Sequence, residues 1–248
     1  LINDPHLNNT YALNDGLRMA RKLLSDINDL TVPTAGEFLD MITPQYLADF
    51  MSWGAIGART TESQVHRELA SGLSCAVGFK NATNGGVKIA LDAIGAAEAP
   101  HHFLSVTKFG HSAIVSTKGN EDCHIILRGG DNGPNYSEQD VAEVCDELAK
   151  AGYRAHVMVD FSHANSYKQF KKQLDVSREV ARQIAAGSNK IFGVMIESHL
   201  VEGRQDLVEG KPLTYGQSIT DSCIGWEDSE KVLQELSDAV VAKRKLNG

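Results

Sequence analysis

Six short apolar runs in this chain each lead to one polar residue of a type that binds ligands or takes part in reactions. Two of these residues are carboxylates, three are cations and one is an imidazole. In chain order they are Glu37, Arg59, Lys80, Arg128, His163 and Glu197. In a parallel α/β barrel the carboxyl ends of the strands open onto one face, so we expect these side chains to converge there.

The three cations predict a site for an anion. Arg59, Lys80 and Arg128 each follow apolar or glycine residues, and two guanidinium groups with one ammonium group suit a phosphorylated carboxylate. Glu37 has two interpretations, as a carboxylate that orients Lys80 or a bound water, or as an ordinary ion-pair partner. The alternative for the cations is structural ion pairing. The nearby carboxylates for such pairs are Glu37, Asp40 and Asp160.

A second group of residues predicts a metal site. His163 and Glu197 end strand candidates, and Asp221 lies in the loop after the last of them. One imidazole with two carboxylates suits divalent Mn, Fe, Co or Zn and leaves a position open for substrate. The alternative is that His163 is a hydrogen-bonded turn residue. Cys223 is close to Asp221 in sequence, but that spacing does not establish coordination.

Segments with helical spacing alternate with the strand candidates. Ser137 and Asp140 have the spacing of a capping box, and Gly152 is a typical helix stop. Residues 103–108 and 112–117 are predicted to form an inserted β-hairpin. The predicted helices cover residues 13–27, 61–73, 86–98, 141–151, 175–186 and 228–245.

Alternating strands and helices predict a parallel sheet, and reactive residues at many strand ends favour a closed barrel over an open sheet. No glycine motif of a dinucleotide site or a P-loop follows the first strand. A closed barrel needs eight strands, whereas the chain offers six and the hairpin. We therefore expect residues 1–248 to form a single partial domain, a (β/α)8 TIM barrel of the α/β class that is incomplete at its amino terminus.

Composition excludes several classes of partner. The formal net charge is −8 without a long Lys/Arg block, which argues against nucleic acid as the main partner. No run of 18 apolar residues is present, so no membrane span is expected. The four cysteines are widely spaced, which predicts reduced thiols and a cytoplasmic location.

Several long motifs, in order, closely resemble the type I 3-deoxy-D-arabino-heptulosonate 7-phosphate (DAHP) synthases. The resemblance spans essentially the whole chain. The runs that carry it are Gly57–Ser63, Val77–Asn81, Ile125–Gly130, Asp160–Ser166, Gly193–Ser198 and Ser218–Glu227.

The resemblance implies a transferase that starts aromatic amino acid biosynthesis on a metal-containing α/β barrel. Its substrates would be phosphoenolpyruvate and D-erythrose 4-phosphate. The phosphoenolpyruvate methylene carbon would attack the aldehyde carbon, which a divalent metal polarises, and water addition would release phosphate. The alternatives are a non-catalytic barrel fragment that binds a phosphate ligand, and a related synthase that condenses phosphoenolpyruvate with another aldose phosphate.

The resemblance also assigns roles to residues. Arg59 and Arg128 would bind the substrate phosphate, Lys80 its carboxylate, and Glu37 would line the same pocket. His163, Glu197 and Asp221 would be three of four metal ligands. Lys80, His163 and Glu37 are expected to act directly in the reaction. His163 and Asp221 are also expected to contact substrate.

Two motifs of the family are absent, a Gly-Pro-Cys-Ser run with the fourth metal ligand and a Lys-Pro-Arg-Thr-Thr run that grips erythrose phosphate. We therefore expect a carboxyl-terminal portion of a longer enzyme, which forms a homo-oligomer. The resemblance further implies a regulatory pocket for phenylalanine. The residues expected to line it are Phe38, Met41, Pro44, Gln45, Leu69, Leu73, Ser74, Phe103, Ser105 and Val115.

Overall fold

The computed structural model describes residues 2–208 and 210–247. They divide into two compact units. The first unit comprises the chain up to Lys80 together with Lys88–His124, and the second comprises Asn81–Val87 and the chain from Ile125 onward. The assignment of residues 1–248 to one domain stays a prediction.

Three parallel strands form the centre of the first unit. Strand β1 (Thr34–Glu37) and strand β3 (Ala76–Lys80) both pair with β2 (Met51–Ile56). The side chains of Ile56, Val77 and Phe79 are fully buried, as expected for strands that are covered on both faces. The carboxyl ends of all three strands therefore lie at one edge of this part of the sheet.

Among the described residues, four α-helices accompany these strands: α1 (Leu13–Asp29), α2 (Pro44–Leu47), α3 (Gln64–Gly72) and α4 (Lys88–Glu98). A short 3-10 helix, Ala48–Phe50, directly follows α2. Helix α3 packs against α4, where small side chains such as Ala70 and Ala93 are fully buried and allow close approach. Not every apolar residue of these helices is packed. Leu23 on α1 is 59% exposed and Val65 on α3 is 47% exposed.

The predicted hairpin is confirmed and belongs to the first unit. Strand β4 (His102–Val106) pairs antiparallel with β5 (Ser112–Ser116), with Phe103 opposite Val115. Successive residues of a strand point to opposite faces. Leu104 is consequently 82% exposed, whereas Phe103 and Val115 on the other face are half-buried.

The second unit repeats the pattern of strand and helix. The carboxyl-terminal part of β6 (Cys123–Leu127) pairs parallel with β7 (Val157–Asp160), which pairs parallel with β8 (Ile191–Met195). Two short strands that the sequence did not reveal, β9 (Val201–Arg204) and β10 (Gln217–Ser218), pair parallel with each other in a separate two-stranded sheet.

Helices α5 (Glu138–Lys150), α6 (Gln173–Ala185) and α7 (Trp226–Asn247) complete this unit, and α6 packs against α7. The predicted capping box is confirmed: Ser137 Oγ accepts the Asp140 N–H over 3.1 Å, and the Asp140 carboxylate accepts the Ser137 N–H. Gly152 ends the helical segment with φ +86°, where a side chain would be strained. None of the described helices combines the length and apolar character needed to cross a membrane.

Candidate active site

Three side chains of the second unit form a cluster suited to a divalent metal ion. His163, Glu197 and Asp221 each offer one ligand atom, and these atoms all lie within 4.8 Å of one another. His163 Nε2 is 3.7 Å from Glu197 Oε1 and 4.0 Å from Asp221 Oδ2. Ligand bonds of about 2.0 to 2.2 Å place the donors of one ion roughly 3 to 4 Å apart. These two separations and the donor types therefore fit a bound metal.

The imidazole of His163 lies beside the carboxylate of Asp160. Its Nδ1 lies 2.9 Å from Asp160 Oδ2, and Asp160 is completely buried at the end of β7. These two atoms are at ion-pair distance but lack the geometry of a hydrogen bond, and Nε2 is the ring nitrogen that faces Glu197 and Asp221. His163 also has a left-handed backbone with φ 54°, which is uncommon for a residue with a side chain. Such strain is concentrated at functional sites.

Glu197 follows β8 and is partly buried. Burial raises the pKa of its carboxyl group, whereas the Ser162 hydroxyl, which donates to Glu197 Oε2 over 2.7 Å, acts in the opposite direction. A carboxylate that is removed from water needs compensating partners. The neighbouring imidazole supplies one, and a bound cation would supply another.

Asp221 is the exposed member of the cluster, with a side chain that is 75% exposed. Cys223 is not one of the clustered ligands among the described residues. Its thiol donates to the Asp221 carbonyl over 3.5 Å, and its backbone exchanges hydrogen bonds with Gly203. Burial raises the pKa of this thiol, which favours the neutral form over a metal-binding thiolate.

Arg128 directly follows β6 and carries a buried positive charge. The residue is 9% exposed, and its Nε is buried without a hydrogen-bond partner among the described residues. Its carbonyl oxygen accepts the N–H of Ala164, the residue after His163, over 3.1 Å. A buried guanidinium group with an unused donor is a strong candidate for binding an oxyanion.

The other candidate residues lie at the strand ends of the first unit. Glu37 is the last residue of β1 and is exposed, Arg59 lies just after β2 and is exposed, and Lys80 is the last residue of β3 and is 8% exposed. Arg59 forms no hydrogen bond or ion pair with another residue in the described part of the chain.

Two of the carboxylates considered as ion-pair partners of the cations have other contacts. Asp160 contacts His163, and Asp40 accepts the N–H groups of Ile42 and Thr43.

Two small features arrange these strand ends. A Cβ at Gly57 would lie 2.4 Å from Glu37 Oε1, so glycine is required for the carboxylate to lie over the turn after β2. The buried hydroxyl of Thr61 lies within hydrogen-bond distance of the carbonyls of Gly57 and Lys80, at 3.1 and 2.7 Å. Thr61 therefore connects the ends of β2 and β3.

The residues expected to form a phenylalanine pocket all belong to the first unit. Phe38 is buried, and its ring occupies the space that a side chain at Gly54 would need. Phe103 and Val115 lie on the less exposed face of the hairpin, and Ser105 is on the same face. The remaining members range from buried to exposed: Met41, Pro44, Gln45, Leu69, Leu73 and Ser74.

Sequence reasoning missed several polar residues that hold the candidate ligands. Gln173 bonds the backbone of Glu197, and three asparagines, Asn81, Asn135 and Asn165, surround the backbone of Arg128. They are distant in sequence from the groups they contact, so no local pattern marks them. The Asp-Phe-Ser-His run was a usable signal for Asp160, because an acid three residues before a histidine at a strand end can reach its ring.

Comparisons with known proteins identify the family. A model described as "DAHP synthetase I family" matches residues 1–234. Phospho-2-dehydro-3-deoxyheptonate aldolase of Haemophilus influenzae is 82% identical over 245 residues, which is 99% of this chain and 68% of that protein. The Phe-sensitive aldolase of Escherichia coli K12 is 70% identical over 244 residues, or 98% of this chain and 69% of that protein.

A solved structure agrees. The phospho-2-dehydro-3-deoxyheptonate aldolase of Francisella tularensis SCHU S4 matches with a TM-score of 0.94 and 57% identity, over 98% of this chain and 70% of that one. The α/β barrel class predicted from the sequence is thereby confirmed. The resemblance drawn from the motifs is also confirmed: this chain belongs to the DAHP synthetase I family.

Proposed function

We propose that the protein is a transferase that condenses phosphoenolpyruvate with D-erythrose 4-phosphate and water to give DAHP and inorganic phosphate, the first step of aromatic amino acid biosynthesis. One observation carries this proposal: the buried, incompletely paired guanidinium of Arg128 is joined through its backbone to the turn that bears His163. An anion-binding group and a metal-binding cluster thus belong to one framework. Family membership and the names of the relatives support the same activity.

The substrate phosphoenolpyruvate carries a phosphate and a carboxylate, which are the two anions that the cations suit. We assign Arg128 and Arg59 to the phosphate, because guanidinium forks match phosphate oxygens in pairs. Lys80 is assigned to the carboxylate as a compact charge. Since Lys80 and Arg128 are almost completely buried, each gains more from an anion than an exposed cation would.

His163, Glu197 and Asp221 are assigned to hold a divalent ion such as Mn, Fe, Co or Zn. When bound, the ion supplies Lewis-acid polarisation of the aldehyde oxygen of erythrose 4-phosphate. The buried carboxylate of Asp160 lies 2.9 Å from Nδ1 of His163, and the Ser162 hydroxyl donates a hydrogen bond to one oxygen of Glu197. Contacts of this kind help to orient ligand atoms before substrate arrives.

In the reaction, the C=C π electrons of phosphoenolpyruvate form a bond from its methylene carbon to the aldehyde carbon, and the C=O π electrons of the aldehyde move to its oxygen. Water adds to the adjacent carbon of phosphoenolpyruvate and gives one proton to the former aldehyde oxygen. Its oxygen then becomes the keto oxygen as the bond from that carbon to the phosphate oxygen breaks, and the second proton leaves with the phosphate. The arginines and the lysine hold the charges and the orientation, which is where preorganised sites gain most of their effect. Glu37 is assigned to orient Lys80 or the attacking water.

We also infer that phenylalanine inhibits the protein. The relative that is named Phe-sensitive is 70% identical, whereas one named Trp-sensitive is 56% identical. Half-buried Phe103 and Val115 on one hairpin face supply the apolar surface that a phenyl ring needs. Phenylalanine added to the purified protein is expected to lower the rate of phosphate release, and tryptophan at the same concentration to have little effect.

The substitution Arg128→Ala tests the proposed site. We expect kcat/KM for phosphoenolpyruvate to fall at least about a hundredfold, because breaking a buried charge pair costs roughly 3 to 5 kcal/mol. The control is Arg178→Ala, which removes an exposed arginine that pairs with Asp175 on its own helix. DAHP formation at the control's efficiency by Arg128→Ala would overturn the assignment.

A further inference from the structure

The backbone around Arg128 is fixed by side-chain amides to an unusual degree. Asn81 Oδ1 accepts the Arg128 N–H over 2.8 Å, and Asn81 Nδ2 donates to the Gly129 carbonyl over 3.0 Å. Asn135 Oδ1 accepts the Gly129 N–H over 2.7 Å. The Arg128 carbonyl accepts the N–H groups of Ala164 and Asn165. All four polar backbone groups of Arg128 and Gly129 are therefore hydrogen-bonded.

The amides also bond one another. Asn135 Nδ2 donates to Asn81 Oδ1 over 3.3 Å, and the Asn135 N–H donates to Asn165 Oδ1 over 2.9 Å. Asn165 Nδ2 donates to the carbonyls of Leu127 and Asp160, at 3.1 and 2.7 Å. One network therefore connects the last residue of β6 with the last residue of β7, and the latter contacts the His163 ring.

Burial makes this network rigid. Asn81 is fully buried and Asn165 is 1% exposed, so neither amide can exchange its partners for bulk water at low cost. The loop after Arg128 is also sterically confined, because a Cβ at Gly130 would lie 2.2 Å from the Gly85 nitrogen. The backbone that carries Arg128 is thus fully paired, whereas its side-chain Nε is buried and still lacks a partner among the described residues.

We propose that Asn81, Asn135 and Asn165 are positioning residues that hold the Arg128 guanidinium in place for an oxyanion. They act through the backbone of Arg128 and do not touch the anion themselves. This inference rests on the proposed role of Arg128 in binding the phosphate of phosphoenolpyruvate. A guanidinium whose backbone is held in place loses less freedom on binding, so the network raises affinity for the anion.

The test uses Asn135→Ala first, because Asn135 is only half-buried and, among the described residues, its side chain forms hydrogen bonds only with the Gly129 N–H and with Asn81. Asn81→Ala is the second variant. The matched control is Asn120→Ala, since Asn120 is a buried asparagine whose amide also bonds backbone groups, those of Ala70, Cys75 and Asp122, in the first unit. The midpoint of thermal unfolding, equilibrium binding of phosphoenolpyruvate and of inorganic phosphate, and steady-state kinetics are measured for each.

For Asn135→Ala and Asn81→Ala we expect Kd for both anions and KM for phosphoenolpyruvate to rise about tenfold or more, with a smaller change in kcat. The control is expected to lose thermal stability with little change in Kd. Equal changes in Kd for Asn135→Ala and Asn120→Ala, while Arg128→Ala still abolishes binding, would overturn the positioning role alone. Unchanged anion binding by Arg128→Ala would overturn both the role of Arg128 and the role of the network.

Discussion

The side-chain amide of Gln173 hydrogen-bonds both backbone groups of Glu197. Its Nε2 donates to the Glu197 carbonyl over 2.9 Å, and its Oε1 accepts the Glu197 N–H over 2.9 Å. Gln173 is completely buried at the start of α6. The first residue of this helix thereby fixes where the carboxylate that follows β8 is placed.

The substitution Gln173→Leu should weaken metal binding. It leaves two backbone groups of Glu197 without their partner, and loss of such an outer contact typically lowers metal affinity about tenfold to a hundredfold. The Kd for Mn²⁺, followed by electron paramagnetic resonance of the free ion, measures the effect. Gln183→Leu is the control, because Gln183 is a buried glutamine on the same helix that bonds the Tyr136 carbonyl instead. Equal losses of affinity in the two variants would show that the contact has no special role.

The substitution Gly57→Ala should lower kcat through Glu37. The new Cβ would lie 2.4 Å from Glu37 Oε1, so the carboxylate must move away from its present position. We expect about a tenfold or larger loss in kcat, since small displacements of a reacting group have effects of this order or more. The matched experiment adds the same change to a Glu37→Ala background, where no carboxylate remains to be displaced. If Gly57→Ala lowers kcat by the same factor in the Glu37→Ala background, its effect does not depend on the Glu37 carboxylate.

Inhibition by phenylalanine should depend on one face of the hairpin. Phe103→Ala removes a half-buried ring from the face that we assign to the effector, and Leu104→Ala removes a side chain that is 82% exposed on the opposite face. Loss of a well-packed aromatic contact is worth about 2 kcal/mol or more, so the inhibition constant should rise roughly thirtyfold in Phe103→Ala only. Dose–response curves for phenylalanine measure this. Equal inhibition of both variants would contradict the assigned pocket.

The turn before α2 should lose stability at low pH. Burial alone raises the pKa of the Asp40 carboxyl group, but hydrogen bonds from Thr43 and Ile42 outweigh it, so the pKa is lowered overall. A lowered folded-state pKa stabilises the native protein above the unfolded value of about 3.9, and this stabilisation is lost as the pH falls through the folded value. The difference in unfolding midpoint between the wild type and Asp40→Ala should thus be largest near pH 7 and shrink below about pH 4. A difference that stays constant across this range would rule out the linkage.

The sequence predicted those parts of the molecule that local patterns encode. Alternating apolar runs and amphipathic segments gave the six parallel strands of the two units and the major helices, and Ser137 with Asp140 gave a helix start. The cluster of His163, Glu197 and Asp221 could also be predicted from the sequence, because each residue follows a strand candidate and has a side chain that commonly binds metals.

The rest depends on contacts between distant residues. Gln173 and Asn135 have no unusual local sequence context. The side-chain amide of Gln173 bonds Glu197, which is 24 residues away in the sequence, and that of Asn135 bonds Asn81, which is 54 residues away. The short strands β9 and β10 contain few apolar residues, so their sequence does not distinguish them from loops. The left-handed backbone of His163 is likewise imposed by its surroundings and not by its residue type.

The most direct test is to measure DAHP formation from phosphoenolpyruvate and erythrose 4-phosphate by the purified protein before chelation, after chelation and after Mn²⁺ is restored. His163→Ala is measured in parallel. We expect turnover that chelation abolishes and Mn²⁺ restores, and we expect that the His163→Ala variant neither binds Mn²⁺ nor forms DAHP. Turnover that persists after the metal is removed, or in His163→Ala, would contradict the assignment of His163, Glu197 and Asp221 as the metal site of the reaction.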